Sequence, residues 1–189
     1  MNMHKNEKGF SYIDTMVGLV ILLVGVLALA AAVTTSVIRA RQTEQQLIAK
    51  QLANSTLESI FSARDIRLSG VDGWSSIGMI GSNPVDGIPQ GIFVIGMTPI
   101  RESAGADGII GTRDDACAGT GPCCIGGVCN SSTVIKGFQR QITITDINDP
   151  QRPTPPWPIM MRRVDIAITY QAGNMLRTEN VSTVITSYQ

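Results

Sequence analysis

The hydrophobic pattern is dominated by one uncharged run near the N-terminus. No charged residue occurs between Thr15 and Ile38, and the run TMVGLVILLVGVLALAAAVTTSVI contains 24 residues. As an α-helix rising about 1.5 Å per residue, it reaches roughly 36 Å, enough to cross a hydrocarbon core of about 30 Å. The competing interpretation is a secretory signal peptide, whose apolar core is typically only about 7–15 residues long. The pattern therefore predicts a membrane-spanning helix over residues 10–38.

The polar sequence after this run continues with helical character. No Gly or Pro occurs between residues 26 and 64, so the spacing predicts one helix over residues 10–64 and an amphipathic segment at residues 39–69. Apolar residues recur there at intervals typical of one helix face, which predicts burial of that face against a domain. These residues are Ile48, Leu52, Leu57, Ile60 and Phe61.

Beyond Ser69 the pattern changes to short β-type runs separated by Asp-Gly turns, which predicts a β-rich domain over residues 70–189. Strands are expected at residues 91–100, 138–147, 163–171 and 176–187. The last two flank Ala172-Gly173-Asn174, a sequence typical of a hairpin turn. We therefore expect an α+β fold in which an antiparallel β-sheet packs one face on the long N-terminal helix.

A glycine-rich insert at residues 105–130 contains all four cysteines of the chain, Cys117, Cys123, Cys124 and Cys129. If the domain lies outside the cytoplasm, an even number of cysteines indicates disulfides, for which three pairings exist. A vicinal bond between Cys123 and Cys124 is the least favoured. A four-thiolate zinc site is the alternative, but the spacing lacks the paired CxxC hooks of such sites.

The same insert carries Asp107, Asp114 and Asp115 in a loop punctuated by glycines. Ca²⁺ binds several oxygen ligands from short flexible stretches, so these residues are a candidate calcium site. Solvated Asp-Gly turns explain the same pattern equally simply.

A second insert, at residues 149–158 (DPQRPTPPWP), is proline-rich and predicts an exposed connector outside any central strand. Trp157 within it could serve either as a contact for another protein or as a cap on the sheet edge.

The composition argues against several functional classes. Fifteen Lys and Arg residues balance 15 Asp and Glu residues, so the chain lacks the basic character expected if nucleic acid were its main ligand. The only histidine, His4, precedes the apolar run, which leaves no imidazole in the domain for a Ser-His or Cys-His pair. GxxxxGK[ST] and GxGxxG motifs are also absent from the sequence. These features predict a protein that is not an enzyme. The alternative left open is a carboxylate-pair hydrolase, although nothing in the sequence singles out a pair.

The N-terminus carries a more specific signal. A Lys-bearing leader, MNMHKNEKG, is followed by FSYIDTMVGLVILLVGVLAL, in which Asp14 is the only charged residue. A leader ending in Gly9, then Phe10, then an acid at this offset before an unbroken apolar helix, resembles the class III signal of type IV pilins and type II secretion pseudopilins. The acid is Asp14 where that family usually has Glu, and the residue two before it is Tyr12 rather than an aliphatic residue.

The resemblance implies that residues 1–9 are a cleaved leader. A prepilin peptidase would cut between Gly9 and Phe10 and N-methylate Phe10. A carboxylate beside an apolar run is also costly without a partner, which suggests a cationic one for Asp14. The resemblance names this partner as the amine of Phe10 in a neighbouring subunit. The alternative is a solvated Asp at the start of the helix, where the helix dipole favours it.

The family also implies a pilin-like fold and a location. The implied function is that of a minor pilin, most like the PilV type. Such a subunit lies in the bacterial inner membrane, with its domain in the periplasm, before it enters an extracellular pilus. Its partners would be other pilin subunits, the prepilin peptidase, the inner-membrane assembly platform and the lipid bilayer. No cofactor is implied beyond the candidate calcium. The alternatives are a minor pseudopilin of type II secretion and a single-span membrane-anchored binding domain.

Overall fold

The computed structural model describes residues 11–66, 73–116, 124–125, 128–129, 132–151 and 158–187. The chain divides into two compact units, Met1–Thr43 and Glu44–Gln189. The first unit contains the apolar half of the long helix, and the second contains the rest of that helix and all of the strands.

Helix α1 spans Tyr12–Asp65. Its first turn forms where the Ser11 carbonyl accepts the amides of Asp14 (2.9 Å) and Thr15 (3.3 Å). At its C-terminal end, the amide of the next residue, Ile66, donates to the Ser62 carbonyl at 3.1 Å. These bounds confirm the helix predicted over residues 10–64, within the few residues by which helix ends commonly differ.

The remaining elements are short, apart from three long strands near the C-terminus. In chain order they are α2 (Gly73–Ser76), β1 (Pro84–Val85), β2 (Ile88–Pro89), β3 (Met97–Arg101), a 3₁₀ helix (Arg113–Ala116), β4 (Cys124–Ile125), β5 (Val128–Cys129), β6 (Val134–Ile147), β7 (Met161–Ala172) and β8 (Met175–Thr186).

The main sheet has four antiparallel strands in the order β3-β6-β7-β8. Strand β7 lies inside it, with Ile166 opposite Ile142 of β6 on one side and Val181 of β8 on the other. Alternate residues of β7 are buried, as expected when one face of a strand is covered. The three long strands confirm the predictions for residues 138–147, 163–171 and 176–187, and Gly173 forms the hairpin turn with a φ of 64°.

The prediction of a strand over residues 91–100 was wrong in its first half, because β3 begins only at Met97. Before that point the backbone pairs with loops instead of a neighbouring strand of the main sheet. The Phe93 amide donates to the Gly78 carbonyl (3.0 Å), and the Val94 amide donates to the Gly111 carbonyl (3.0 Å). Gly96, with a φ of 86°, then turns the chain into β3.

The second half of α1 packs against the main sheet. Its buried positions repeat at intervals of four and three, but small residues occupy most of them: Ala49, Ala53, Thr56, Ile60 and Ala63. Three of the larger residues predicted to form the buried stripe, Leu52, Leu57 and Phe61, are only partly buried beside this line. A hydrogen bond from the side-chain Nε2 of Gln46 to Oε1 of Glu179 in β8 (2.7 Å) also joins helix and sheet. The predicted α+β arrangement, a long N-terminal helix on an antiparallel sheet, is therefore confirmed.

Candidate functional site

The first half of α1 exposes its apolar side chains. Every residue from 11 to 41 is exposed, including large ones such as Leu22 (67% exposed) and Leu29 (69%). A Cβ added at Gly18 or Gly25 would meet no atom within 4 Å other than the neighbouring backbone of its own helix. By its length and composition, this part of α1 could cross a membrane as a single span.

The serine and threonine hydroxyl groups in this half of α1 donate to carbonyl groups of the helix itself. Thr34, Thr35 and Ser36 donate to the carbonyl four residues earlier, at 2.9, 2.7 and 2.9 Å. Thr15 donates to the Tyr12 carbonyl at 3.0 Å. Because lipid offers no hydrogen-bonding partners, internal bonds of this kind make hydroxyl groups acceptable in a membrane span.

Asp14 differs from these hydroxyl residues. It lies in the first turn of α1 and is exposed. Its carboxylate forms no ion pair or side-chain hydrogen bond with any other residue that the structure describes. Gly9 and Phe10, the predicted cleavage pair, lie outside the described residues, so cleavage and N-methylation stay predictions.

Protein-family models, curated proteins and solved structures were compared with the chain, and none of them matches it. The site is therefore interpreted from the residues of this chain.

The acidic loop near residue 110 is organised by Asp114. One of its carboxylate oxygens accepts the amides of Ala106 (2.7 Å) and Asp107 (3.0 Å), and the other accepts the Thr112 hydroxyl. Burial acts to raise the pKa of Asp114, but these hydrogen bonds outweigh it and hold the pKa below its ordinary value. Asp114 thus ties the two ends of the loop together.

The other two acids of the loop face different partners. Asp107 accepts the Ile109 amide at 2.7 Å, and burial raises the pKa of its carboxyl. Asp115 is buried, where it accepts the Gly111 amide (2.8 Å) and forms an ion pair with Arg140 of β6 (2.8 Å). Among the residues described, no three acidic, His or Cys side chains are grouped to hold a metal ion. Calcium binding by Asp107, Asp114 and Asp115 stays a prediction.

Arg140, which the sequence analysis did not single out, is a central residue of this region. It stands at an inward position of the alternating strand FQRQITITDI, where an apolar residue is expected. A second inward-facing arginine, Arg162 of β7, pairs with Asp146 (2.8 Å) and lies 4.4 Å from the ring centre of Trp74. A charged residue at an inward strand position is thus the signal that could have identified both ion pairs.

Two further predictions fall mainly outside the described residues. Cys117 and Cys123 are among those not described, while Cys124 and Cys129 are backbone partners across the β4–β5 pair. The two disulfides therefore stay a prediction. Trp157 and most of the proline-rich insert also lie outside, so the role of Trp157 is equally untested.

Proposed function

We propose that this chain is a structural subunit of an extracytoplasmic filament, a minor pilin of the type IV class, and that it has no enzymatic activity. The observation that carries this proposal is the exposed apolar helix of residues 11–41, whose only acid is Asp14 at its first turn. The N-terminal sequence supports the class of filament, because Gly9, Phe10 and Asp14 occur at the spacing of a class III prepilin signal.

Under this proposal, the apolar surface of the first half of α1 is covered first by lipid and later by other subunits. Contiguous apolar surface of this size is unstable in water and indicates a membrane or protein partner. Before assembly, the bilayer of the bacterial inner membrane covers it, and the domain lies in the periplasm. After extraction by the assembly platform, the helices of neighbouring subunits replace the lipid.

Asp14 gives this helical packing a defined register. Cleavage after Gly9 by the prepilin peptidase creates an amine at Phe10, whose reference pKa of about 8 keeps it mostly protonated at neutral pH. The carboxylate of Asp14 then pairs with the Phe10 amine of a neighbouring subunit in a water-poor core. A stagger that separates them leaves both charges unpaired, at a cost of roughly 3–5 kcal/mol for a buried pair.

Replacing Asp14 tests this role. Asp14→Ala should enter the membrane and be cleaved normally, yet its amount in sheared filaments should fall at least about tenfold, since even 1.4 kcal/mol corresponds to that factor. Asp14→Glu keeps the charge and should be incorporated. Glu44→Ala is the matched control, because Glu44 is an exposed acid of the same helix beyond the apolar half.

The measurement is the ratio of subunit in the sheared fraction to subunit in the membrane fraction. Equal ratios for wild type and Asp14→Ala would contradict the pairing role. They would favour a solvated Asp at the helix start, which contributes only about 0.3–1 kcal/mol.

A further inference from the structure

A cavity of about 230 Å³ lies in the second unit, between β3, the 3₁₀ helix and β6. Three arginines line it, Arg101, Arg113 and Arg140, together with one acid, Asp115. We propose that this cavity binds a small oxyanion, a group of the size and charge of inorganic phosphate or a simple carboxylate.

The charge of the lining supports an anion. Three arginines and one acid line the cavity, and that acid, Asp115, already pairs with Arg140 at 2.8 Å. Arg101 donates to the neutral Ser132 carbonyl at 2.7 Å, and neither Arg101 nor Arg113 forms an ion pair within the described part of the chain. The neighbouring Asp114 carboxylate is held by the amides of Ala106 and Asp107.

The residues between Ala116 and Ser132 do not supply the missing negative charge. The Ser132 amide donates at 3.0 Å to the carbonyl of Ala116, which lines the cavity. Residues 117–131 contain no Asp or Glu. An anion from solution is therefore the partner that fits the positive lining.

Arg140 contributes a buried positive charge to the lining of the cavity. Its side chain is only 3% exposed, and its Nε has no hydrogen-bond partner among the described residues. One terminal nitrogen is used by Asp115, and the other lies 3.5 Å from the Thr56 hydroxyl. Nε is itself buried and is not a contact for an ion in the cavity. Arg140 nevertheless lines the cavity, and a planar guanidinium group presents its donors in a fork that matches an oxyanion.

The cavity also has the size and rigidity of a small-ion site. Since a water molecule occupies about 30 Å³ in the liquid, 230 Å³ accommodates an oxyanion with part of its hydration. Gly111 in its lining has a φ of 105°, and a Cβ there would overlap with Ile142 of the core. This glycine lets the loop lie directly on the core, which fixes the position of the residues that follow it.

Titration of the full chain in detergent with inorganic phosphate, at constant pH and ionic strength, tests the proposal. We expect saturable binding at one site per chain. Arg113→Gln should weaken it about tenfold or more, the usual effect of losing one charge-assisted hydrogen bond. Arg113 is the residue of choice because it is exposed and its removal leaves the buried Arg140–Asp115 pair intact.

Arg177→Gln is the matched control, since Arg177 is an exposed arginine of β8 that does not line the cavity. It should bind phosphate as the wild type does. Phosphate should also raise the thermal unfolding midpoint of the wild type and of Arg177→Gln by mass action, and raise that of Arg113→Gln less.

A parallel titration with acetate distinguishes a site for carboxylates from a site for phosphate-like anions. Displacement of phosphate by millimolar acetate would indicate a carboxylate ligand, and failure of acetate to compete would indicate a phosphate-like one. Absence of saturable phosphate and acetate binding, or equal phosphate affinity in wild type and Arg113→Gln, would overturn the proposal.

Discussion

At the scale of single residues, Asp114 is the clearest example of a side chain that fixes backbone structure. Its two carboxylate oxygens accept two amides and one hydroxyl, so they hold residues 106–107 against residues 112–114. Asp114→Asn has one carbonyl oxygen for these three donors. We expect a loss of about 1–3 kcal/mol in the free energy of unfolding at pH 7, the typical cost of leaving such groups unsatisfied.

The pH dependence of this loss has a defined sign. Because the pKa of Asp114 is lowered from 3.8 in the folded protein, its ionised form contributes stability above about pH 4. That contribution disappears as the pH falls below 3.8 through the pKa of the folded protein. The difference in free energy of unfolding between wild type and Asp114→Asn should therefore become smaller at low pH. Denaturant unfolding of the full chain in detergent at several pH values measures it.

Asp86→Asn is the control, because Asp86 is exposed in a turn with a φ of 50° that asparagine also tolerates. It should change stability by less than about 0.5 kcal/mol. If the difference in free energy of unfolding between wild type and Asp114→Asn became larger at low pH, the stabilising role given to the Asp114 hydrogen bonds would be wrong.

Not every residue of this region could be predicted. The loop acids were identified from the sequence, but their partners were not, because Arg140 lies 25 positions after Asp115 and only the folded sheet brings them together. The bond from the Ile109 amide to Asp107 spans two residues and follows a recognisable turn chemistry. The Asp114 amide bonds span seven and eight residues, and the Arg140–Asp115 pair depends on tertiary structure.

At the scale of elements, the contact between α1 and the sheet depends on small side chains. Ala49, Ala53 and Ala63 are fully buried, and the larger residues beside them are only partly buried. A well-packed contact of this kind tolerates added volume poorly. Ala53→Leu should therefore destabilise the domain by about 1–3 kcal/mol.

Asn54→Leu is the matched control for this prediction, because Asn54 is the next residue of the same helix and is exposed. It adds a similar side chain without entering the contact, so its free energy of unfolding should stay near that of the wild type. Denaturant unfolding in the same detergent gives the free energy of unfolding of Ala53→Leu and Asn54→Leu. Equal free energies for these two variants would contradict the packing described for α1.

The elements differ in how far the sequence determines them. Strands β6 and β7 alternate apolar and polar residues and bury one face. Strand β8 was predictable as the partner of β7 across the hairpin turn at residues 172–174. The segment at residues 91–96 has the same apolar character, but its amides bond to Gly78 and Gly111 in loops. Hydrogen bonds between loops that are far apart in sequence leave no periodic pattern in the sequence. The buried alanines of α1 were missed for another reason, because the buried face was predicted from large apolar residues only.

At the scale of the whole molecule, the chain combines a domain with its own core and a helix whose first half has no core of its own. The fold class followed from the two periodicities, 3.6 residues for the helix and 2 for the strands. The assembly role proposed for Asp14 involves residues 1–10 and neighbouring subunits, which lie outside the described residues.

The central claim is that the chain is processed and assembled as a pilin, and the mass of its mature N-terminus tests this most directly. The full chain would be produced in cells that contain a prepilin peptidase, extracted from membranes and measured by intact and N-terminal peptide mass spectrometry. Our account predicts a chain that begins at Phe10 and carries one N-methyl group. A mature chain that still contains residues 2–9 would contradict it and would indicate a membrane-anchored domain with an intact leader.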